Sequence, residues 1–261
     1  MSGISPISLY SYSSYTSYSN YGKFASGKAI QSAADGAAEL SIIQKLDTQS
    51  KGLDAGSKNI ATTKDMLNVA DGAAAGITDY LQRIRELAVQ ASNTAVMSDS
   101  DRESIQMEVE QLKQGISDIA KQTNFNTKPL LDGSNSEFNV ATDFNGNGTK
   151  VNIPNATLQA LGIADFDVTG DFDISDIDKA LDKVTSGRSK IGAQTNALEY
   201  AYNYSTNARL NTIASKSRLE DLDIPQVISD MKKKQLLQEY SMNMQRTIMN
   251  NQANLMKKFF F

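Results

Sequence analysis

Leu46, Leu53, Ile60, Leu67, Ala74, Leu81 and Ala88 recur at seven-residue intervals without a break. One regular structure keeps such positions on a common line: an α-helix whose apolar row faces a neighbouring helix. A row this long predicts a rod-like helix with a left-handed seam rather than an element of one thick core. Ile42, Ala70, Ile77, Ile84 and Ala91 fill part of the companion position, whereas Gln49, Gly56 and Thr63 interrupt it. The helix is expected to open at Ser32-Ala-Ala-Asp35, to start its apolar face with Ala37, Leu40 and Ile43, and to break in a polar loop between Asn93 and Ser100.

Ile105, Val109, Leu112, Ile116 and Ile119 alternate four and three apart, which predicts a second, shorter helix capped by Ser98 or Ser100. The short connection makes it fold back antiparallel on the first. Pro129 and Asp132-Gly133 are expected to end it. Within Ser134–Pro154, Phe138-Asn-Val140-Ala and Val151-Asn-Ile153 alternate around the turn signal Asn145-Gly-Asn-Gly148, so a β-hairpin is expected. Ala156–Asp171 reads as short and irregular. Helical spacing restarts at Ile174 or Ile177 and runs through Leu181, Val184, Ile191 and Leu198, less cleanly past Leu210, Ile213 and Leu219. Pro225 marks a joint. The tail Val227–Phe261 is again helical, with Ile228, Met231, Leu237, Tyr240, Met244, Ile248, Leu255 and Phe259 on its apolar side.

The fold class is therefore all-α, a long antiparallel, coiled-coil-like rod with one small β-hairpin. The candidate intramolecular seam comprises Leu46, Leu53, Ile60, Leu67, Leu81, Ile105, Leu112, Ile191 and Leu198. Hydrophobic residues make up 40% of the 261 positions, with no Trp and few aromatics, a mix suited to narrow helix-on-helix seams.

Several function classes fall away. Cys and His are both absent, which removes disulfides, thiolate chemistry, histidine bases and the common zinc sites. A net charge of −4 with both signs interspersed gives no basic footprint for nucleic acid. No run approaches the roughly 20 apolar residues that cross a bilayer, so membrane insertion is not expected. Carboxylate pairs come with no pocket-forming architecture, and no enzyme activity and no cofactor are expected.

Met1–Lys23 is rich in Ser and Tyr, with tyrosines at 10, 12, 15, 18 and 21, a spacing that matches neither a strand nor a helix face. Ser and Tyr each cost roughly 0.5 kcal/mol relative to Ala in a helix, so the segment is expected to be disordered in the isolated chain.

The stretch Leu81-Gln-Arg-Ile-Arg-Glu-Leu-Ala-Val-Gln-Ala-Ser92 joins a packing seam to a surface carrying Arg83, Arg85, Glu86 and Gln90. Together with Ala25-Ser-Gly-Lys-Ala-Ile-Gln-Ser-Ala-Ala-Asp-Gly-Ala-Ala-Glu-Leu40, Gln122-Thr-Asn-Phe-Asn-Thr-Lys-Pro-Leu-Leu-Asp-Gly133, Ala180-Leu-Asp-Lys-Val-Thr-Ser-Gly-Arg-Ser-Lys-Ile-Gly-Ala193 and Ser217-Arg-Leu-Glu-Asp-Leu-Asp223, it resembles bacterial flagellin. The motifs occur in the family's order.

The resemblance implies a structural subunit of the flagellar filament, exported by the flagellar type III system and polymerised outside the cell through its terminal helices. It divides the chain into residues 1–31 as an export and assembly segment, 32–222 as the helical rod with the hairpin near 134–154, and 223–261 as the inner-tube helix. Implied partners are other flagellin subunits and an export chaperone that holds the C-terminal helix through Met231, Leu237, Tyr240, Met244, Ile248, Leu255 and Phe259. Arg83, Leu87 and Glu108 fall where some flagellins contact a host flagellin-sensing Toll-like receptor; their plainer reading is one seam residue and two surface charges in subunit contacts. Ser134–Asp173 stands where many relatives carry an outer domain, which makes this a rod-only form. The family's apolar N-terminal helix is replaced by the Ser/Tyr-rich segment. That departure leaves a rival open, a secreted, non-polymerising adhesin or host-interaction protein. A hook–filament junction protein has related ends and is a third candidate, although the Arg83–Gln90 block favours flagellin proper.

Three further clusters carry residues able to bind ions or partners. Asp143-Phe-Asn-Gly-Asn-Gly148 begins like a calcium loop, but Pro154 stands where a bidentate carboxylate is needed, so a turn is expected. Asp171-Phe-Asp-Ile-Ser-Asp-Ile-Asp178 lacks the central glycine and is read as acidic residues at a helix N-terminus. The C-terminal Met231, Met242, Met244, Met249 and Met256 suit either a surface that meets more than one partner or plain core filling.

Overall fold

A computed structural model describes residues 22–260, with side chains up to residue 256. The expectation of disorder over Met1–Lys23 thus falls, up to residue 21, outside the described residues, as does the side chain of Phe259. The elements are α1 (Ala37–Ala91), α2 (Asp99–Gln122), β1 (Asn124–Phe125), β2 (Lys128–Pro129), β3 (Glu137–Ala141), β4 (Gly148–Asn152), α3 (Leu158–Leu161), α4 (Ser175–Glu220) and α5 (Ile224–Phe260). They fall into two compact units, Thr48–Asn211 and the two chain ends, Met1–Asp47 with Thr212–Phe261.

In the first unit α1 and α4 run antiparallel, as their cross-links show. Arg85 Nε donates to Asp178 Oδ1 at 2.6 Å, Arg188 Nε to Asp71 Oδ1 at 2.9 Å, Lys64 pairs with Glu199, and Arg209 lies 3.6 Å from Asp54. Between them runs the apolar seam. Ile60, Leu67, Ile77, Leu81 and Ile84 of α1 and Ile177 of α4 are fully buried, and Leu53, Ile191 and Leu198 nearly so. Fully burying one such side chain contributes about 1.5–3 kcal/mol.

Helix α2 closes the seam on a third side with Ile105, Val109, Ile116 and Ala120; Leu112 and Ile119 are only partly buried at its edge. Its start is a capping box: Asp101 N donates to Ser98 Oγ at 3.3 Å, and Ser98 N to Asp101 Oδ2 at 3.0 Å. Of the two serines expected as candidates, Ser98 is the cap.

α2 ends at Gln122, earlier than Pro129 and Asp132-Gly133 suggested. Asn126 and Thr127 both take positive φ, 47° and 66°, and form the two-residue link of a tight hairpin pairing Phe125 with Lys128. This is the conformation of a primed turn, here without glycine. The larger hairpin pairs β3 with β4, from Glu137 opposite Asn152 to Ala141 opposite Gly148, so β4 begins before Val151. Val140, Val151 and Ile153 face the helices and are buried.

Ala156–Asp171 contains the short helix α3 and a run of buried side chains: Leu161, Ile163, Phe166 and Val168. α2 and α4 hold its backbone by side-chain bonds. Arg102 donates to the carbonyls of Val168 and Gly170, each at 2.7 Å. Lys113, 6% exposed, reaches the Phe166 carbonyl at 3.2 Å, and Lys183 reaches Ala160 and Leu161. The segment is irregular in path but is part of the core.

The unit of chain ends is built differently. Leu40 is half-buried and Ile43 buried at the start of α1, while Leu46 is half-buried and lies outside the main core cluster. Lys216 Nζ donates to Asp47 Oδ1 at 2.5 Å. Residues 22–36 form an arch on the end of α4, described next, and α5 follows after Asp221–Asp223.

Candidate assembly surface

The arch explains why the motif at 25–40 has its composition. Asp35 lies at its centre: its carboxylate accepts from the backbone N–H of Gln31 at 3.2 Å and of Ser32 at 3.0 Å, and from the Ser32 hydroxyl at 3.0 Å. Lys23 Nζ completes the set at 2.6 Å. The Lys23 contact first, then the Ser32 and Gln31 donors, hold the Asp35 carboxyl well below the usual carboxylate range. Because Asp35 gathers these donors into a closed turn, α1 begins at Ala37 rather than at Ser32.

Gly27, with φ 69°, turns the chain so that its carbonyl accepts from Leu222 N at 2.9 Å while Ala29 N donates to the Glu220 carbonyl at 2.7 Å. Lys28 pairs with Glu220 at 2.6 Å, and Lys28 and Asp221 form a single antiparallel bridge. The chain leaving toward the N-terminus and the chain entering α5 are therefore fastened at one place. Lys28, Asp35, Glu220 and Asp221 are not among the expected site residues, although all four lie inside the quoted motifs; the Ser, Gly and Asp residues around Lys28 and Asp35 mark a turn but not its partner at 220–222.

From that point α5 extends for 37 residues. Pro225 occupies its second position, where a missing N–H costs nothing. Its apolar side chains are exposed: Ile228 39%, Leu237 59%, Tyr240 68%, Met244 49%, Ile248 51% and Leu255 56%, with Met231 half-buried. Met242, Met249 and Met256, at seven-residue spacing, are 39–64% exposed. Met242, Met244, Met249 and Met256 are thus not core filling in this conformation, while Met231 is half-buried. Isolated surface apolar residues need no explanation, but a continuous helical face of them marks an interaction site.

The other singled-out surface is partly closed. Leu87 is 2% exposed and belongs to the core. Arg83 and Glu108 remain about half exposed and engage each other, Arg83 Nη2 donating to Glu108 Oε1 at 2.8 Å, with Glu86 as a second acceptor at 3.1 Å. The three residues do not form one surface patch.

The acidic clusters have structural roles. Asp143 and Asn147 close the hairpin turn through backbone bonds. Asp173 Oδ1 accepts from Ser175 N at 2.9 Å at the start of α4, Asp176 pairs with Lys179 and Asp178 with Arg85. Among the described residues no group of His, Cys, Asp or Glu is placed to hold a metal ion, and no helix is long and apolar enough to cross a membrane.

Comparison with known proteins gives a consistent picture. The bacterial flagellin N-terminal helical region matches residues 14–136, and the bacterial flagellin C-terminal helical region matches residues 174–258. A flagellin of Bacillus subtilis is 33% identical, over 85% of this chain and 86% of its own length. A flagellar filament core protein of Brachyspira hyodysenteriae is 34% identical, over 88% of each. The solved structure of a putative flagellar hook-associated protein from Vibrio parahaemolyticus superposes with a TM-score of 0.59 at 16% identity, covering 72% of this chain and 100% of that one, and shows the shared fold alone. With both helical regions matched in order and relatives of this identity along most of its length, the chain belongs to the bacterial flagellin family.

Proposed function

We propose that this protein is a structural subunit of the extracellular bacterial flagellar filament, polymerising with other flagellin subunits through its terminal regions. The observation that carries this reading is α5: a long helix with regularly spaced apolar side chains standing in solvent, whereas α1 beyond Leu53, α2 and α4 up to Leu198 bury their seam residues. Leu210, Ile213 and Leu219, at the end of α4 that leads into α5, are exposed like those of α5. Burial of that face between subunits supplies the free energy that an isolated molecule leaves unused. Residues 48–211 serve as a preformed body and the arch at 22–36 as the anchor for both chain ends. Relatives named as filament core proteins favour this role over a non-polymerising adhesin or a junction protein.

Two finer points belong to the same proposal. Before assembly the face of α5 needs a cover, and an export chaperone binding Leu237, Tyr240, Met244, Ile248 and Leu255 would supply it. In keeping with a family of filament subunits, the protein is read as acting without catalysis. A host receptor contact through Arg83, Leu87 and Glu108 gains no support from a buried Leu87.

Seeded assembly tests the proposal. Purified chain is added to fragments of flagellin filaments, and separately incubated alone, and both are viewed by electron microscopy. Growth from seeds or spontaneous filaments is the expected result. A folded, helical chain that extends no seed and forms no filament would overturn it.

A further inference from the structure

The β3–β4 hairpin is fastened to α1 at its tip and to α4 at its base. Gly52 and Gly56 lie one turn apart on α1, and the hairpin occupies the place their side chains would take. A Cβ on Gly52 would stand 2.9 Å from Phe144 Cα, and one on Gly56 2.6 Å from the Thr142 carbonyl oxygen. One turn on, Asn59 Nδ2 donates to the Ala141 carbonyl at 3.2 Å. At the base, Asn152 N donates to Gln194 Oε1 at 3.1 Å. There the Pro154 ring takes the space beside Gly187, its Cγ 2.7 Å from where a Cβ would be.

These fastenings lie at different levels of the helix pair. The tip meets α1 around residues 52–59, and Asp54 there faces Arg209 of α4. The base meets α4 around residues 187–194, where Arg188 faces Asp71 of α1. Roughly 15 residues of helix, about 22 Å at the α-helical rise, separate them.

A seam of identical spacing has a weakness that such a device would correct. The row from Leu46 to Ala88 presents an apolar residue every seven positions, so a slip by one heptad still matches apolar to apolar. The ion pairs between α1 and α4 use long, partly exposed arms, and such pairs constrain position weakly. Backbone seated on two glycines admits one position only, because the next residues along that face carry side chains.

We propose that the hairpin is a two-point strap that fixes the axial register of α1 against α4, with Gly52 and Gly56 as the notch that admits its tip. Gly56, which interrupts the apolar companion row, is then the mark that makes one register unique.

The test uses the full chain. The double variant Gly52→Ala/Gly56→Ala is compared with Gly72→Ala, where a Cβ meets open space. By hydrogen exchange, the double variant should lose at least ~10-fold protection across β3 and β4 while α1 beyond residue 60 keeps its own. Because the chain has no cysteine, register is read by oxidation of two introduced pairs, Asp54→Cys/Arg209→Cys and Asp54→Cys/Tyr202→Cys. The second pair is one heptad out and beyond disulfide reach without a slip; its yield relative to the first should rise at least ~5-fold in the double variant. Asn59→Ala, which leaves the glycines intact, should lower hairpin protection about 3-fold. Full hairpin protection in the double variant, an equal loss in Gly72→Ala, or a released hairpin without any rise of the out-of-register pair would each overturn the proposal.

Discussion

α1 between Leu67 and Ala91 and α5 between Ile228 and Met256 are written in the same idiom, apolar residues three, four and seven apart, and end in opposite states. In α1 the row is 0–2% exposed at Leu67, Ala74, Leu81 and Ala88; in α5 Ile228, Leu237, Tyr240, Met244, Ile248 and Leu255 are 39–68% exposed and only Met231 is half-buried. The difference is not in the helices. α1 has α2 and α4 within the same chain to close its seam, whereas the described residues give α5 no such cover. Periodicity therefore announces a seam without saying whether the molecule contains the other side of it. A subunit made for polymerisation is a chain in which the two cases coexist.

Substitutions should separate the two regions sharply. Leu81→Ala removes a fully buried side chain and should cost about 2–5 kcal/mol, read as a lowered urea midpoint. Leu255→Ala, the same chemical change at a site 56% exposed, should leave monomer stability within about 0.5 kcal/mol and slow filament elongation instead. Comparable destabilisation at both positions would erase the contrast.

Smaller effects sharpen it at the edges of the packed region. Ser98→Ala removes the side-chain half of the capping box on α2 and should cost about 1 kcal/mol in chemical unfolding. Acid should act on the same class of contact. The hydroxyl and backbone donors of Ser98 hold the Asp101 carboxyl below its ordinary range, as those of Ser175 do for Asp173. The folded state then binds fewer protons than the unfolded one. Its advantage is fully present above the ordinary carboxylate value of about 4 and is lost as pH falls through the lower folded values. The urea midpoint should fall on that acid side and stay flat from pH 6 to 8; a loss centred near neutrality would contradict these contacts. Least of all, Arg85→Ala breaks an ion pair with Asp178 that is about half exposed, and a change above about 1 kcal/mol in thermal unfolding would be unexpected.

Much of the architecture was legible because it repeats. The long α1 row, the spacing that defines α2 and α4, and the alternating strands around Asn145–Gly148 each carry a period, and a period maps directly onto a face. What lacks a period tells little about burial. Ala156–Asp171 reads as short and irregular, and it is irregular in path, but the burial of Leu161, Ile163 and Val168 is not legible, because backbone held by Arg102, Lys113 and Lys183 packs without regular spacing. Ser32 and Asp35 look like a helix cap and predict an earlier start for α1, whereas Asp35 gathers donors into a turn that precedes the helix. Gly56 and Thr63 look alike as breaks in a row but differ in cause. Gly56 admits the hairpin, while the Thr63 hydroxyl donates to the Asn59 carbonyl of its own helix at 2.8 Å.

At the assembly surface, the apolar positions of α5 could be read residue by residue, while their exposure could not, since exposure depends on every other element. The arch that joins the two chain ends was hidden for the opposite reason. Its contacts tie residues 27–29 to 220–222 across nearly the whole chain, and no local pattern reports a pairing of that separation.

The most direct measurement is hydrogen exchange of the same chain as monomer and as filament, comparing α5 with residues 60–91 of α1. Burial of α5 between subunits predicts fast exchange along Ile228–Met256 in the monomer and at least ~100-fold slower exchange in the filament, with α1 protected in both. Filaments in which α5 exchanges as fast as in the monomer would contradict the central claim that this helix is the assembly interface.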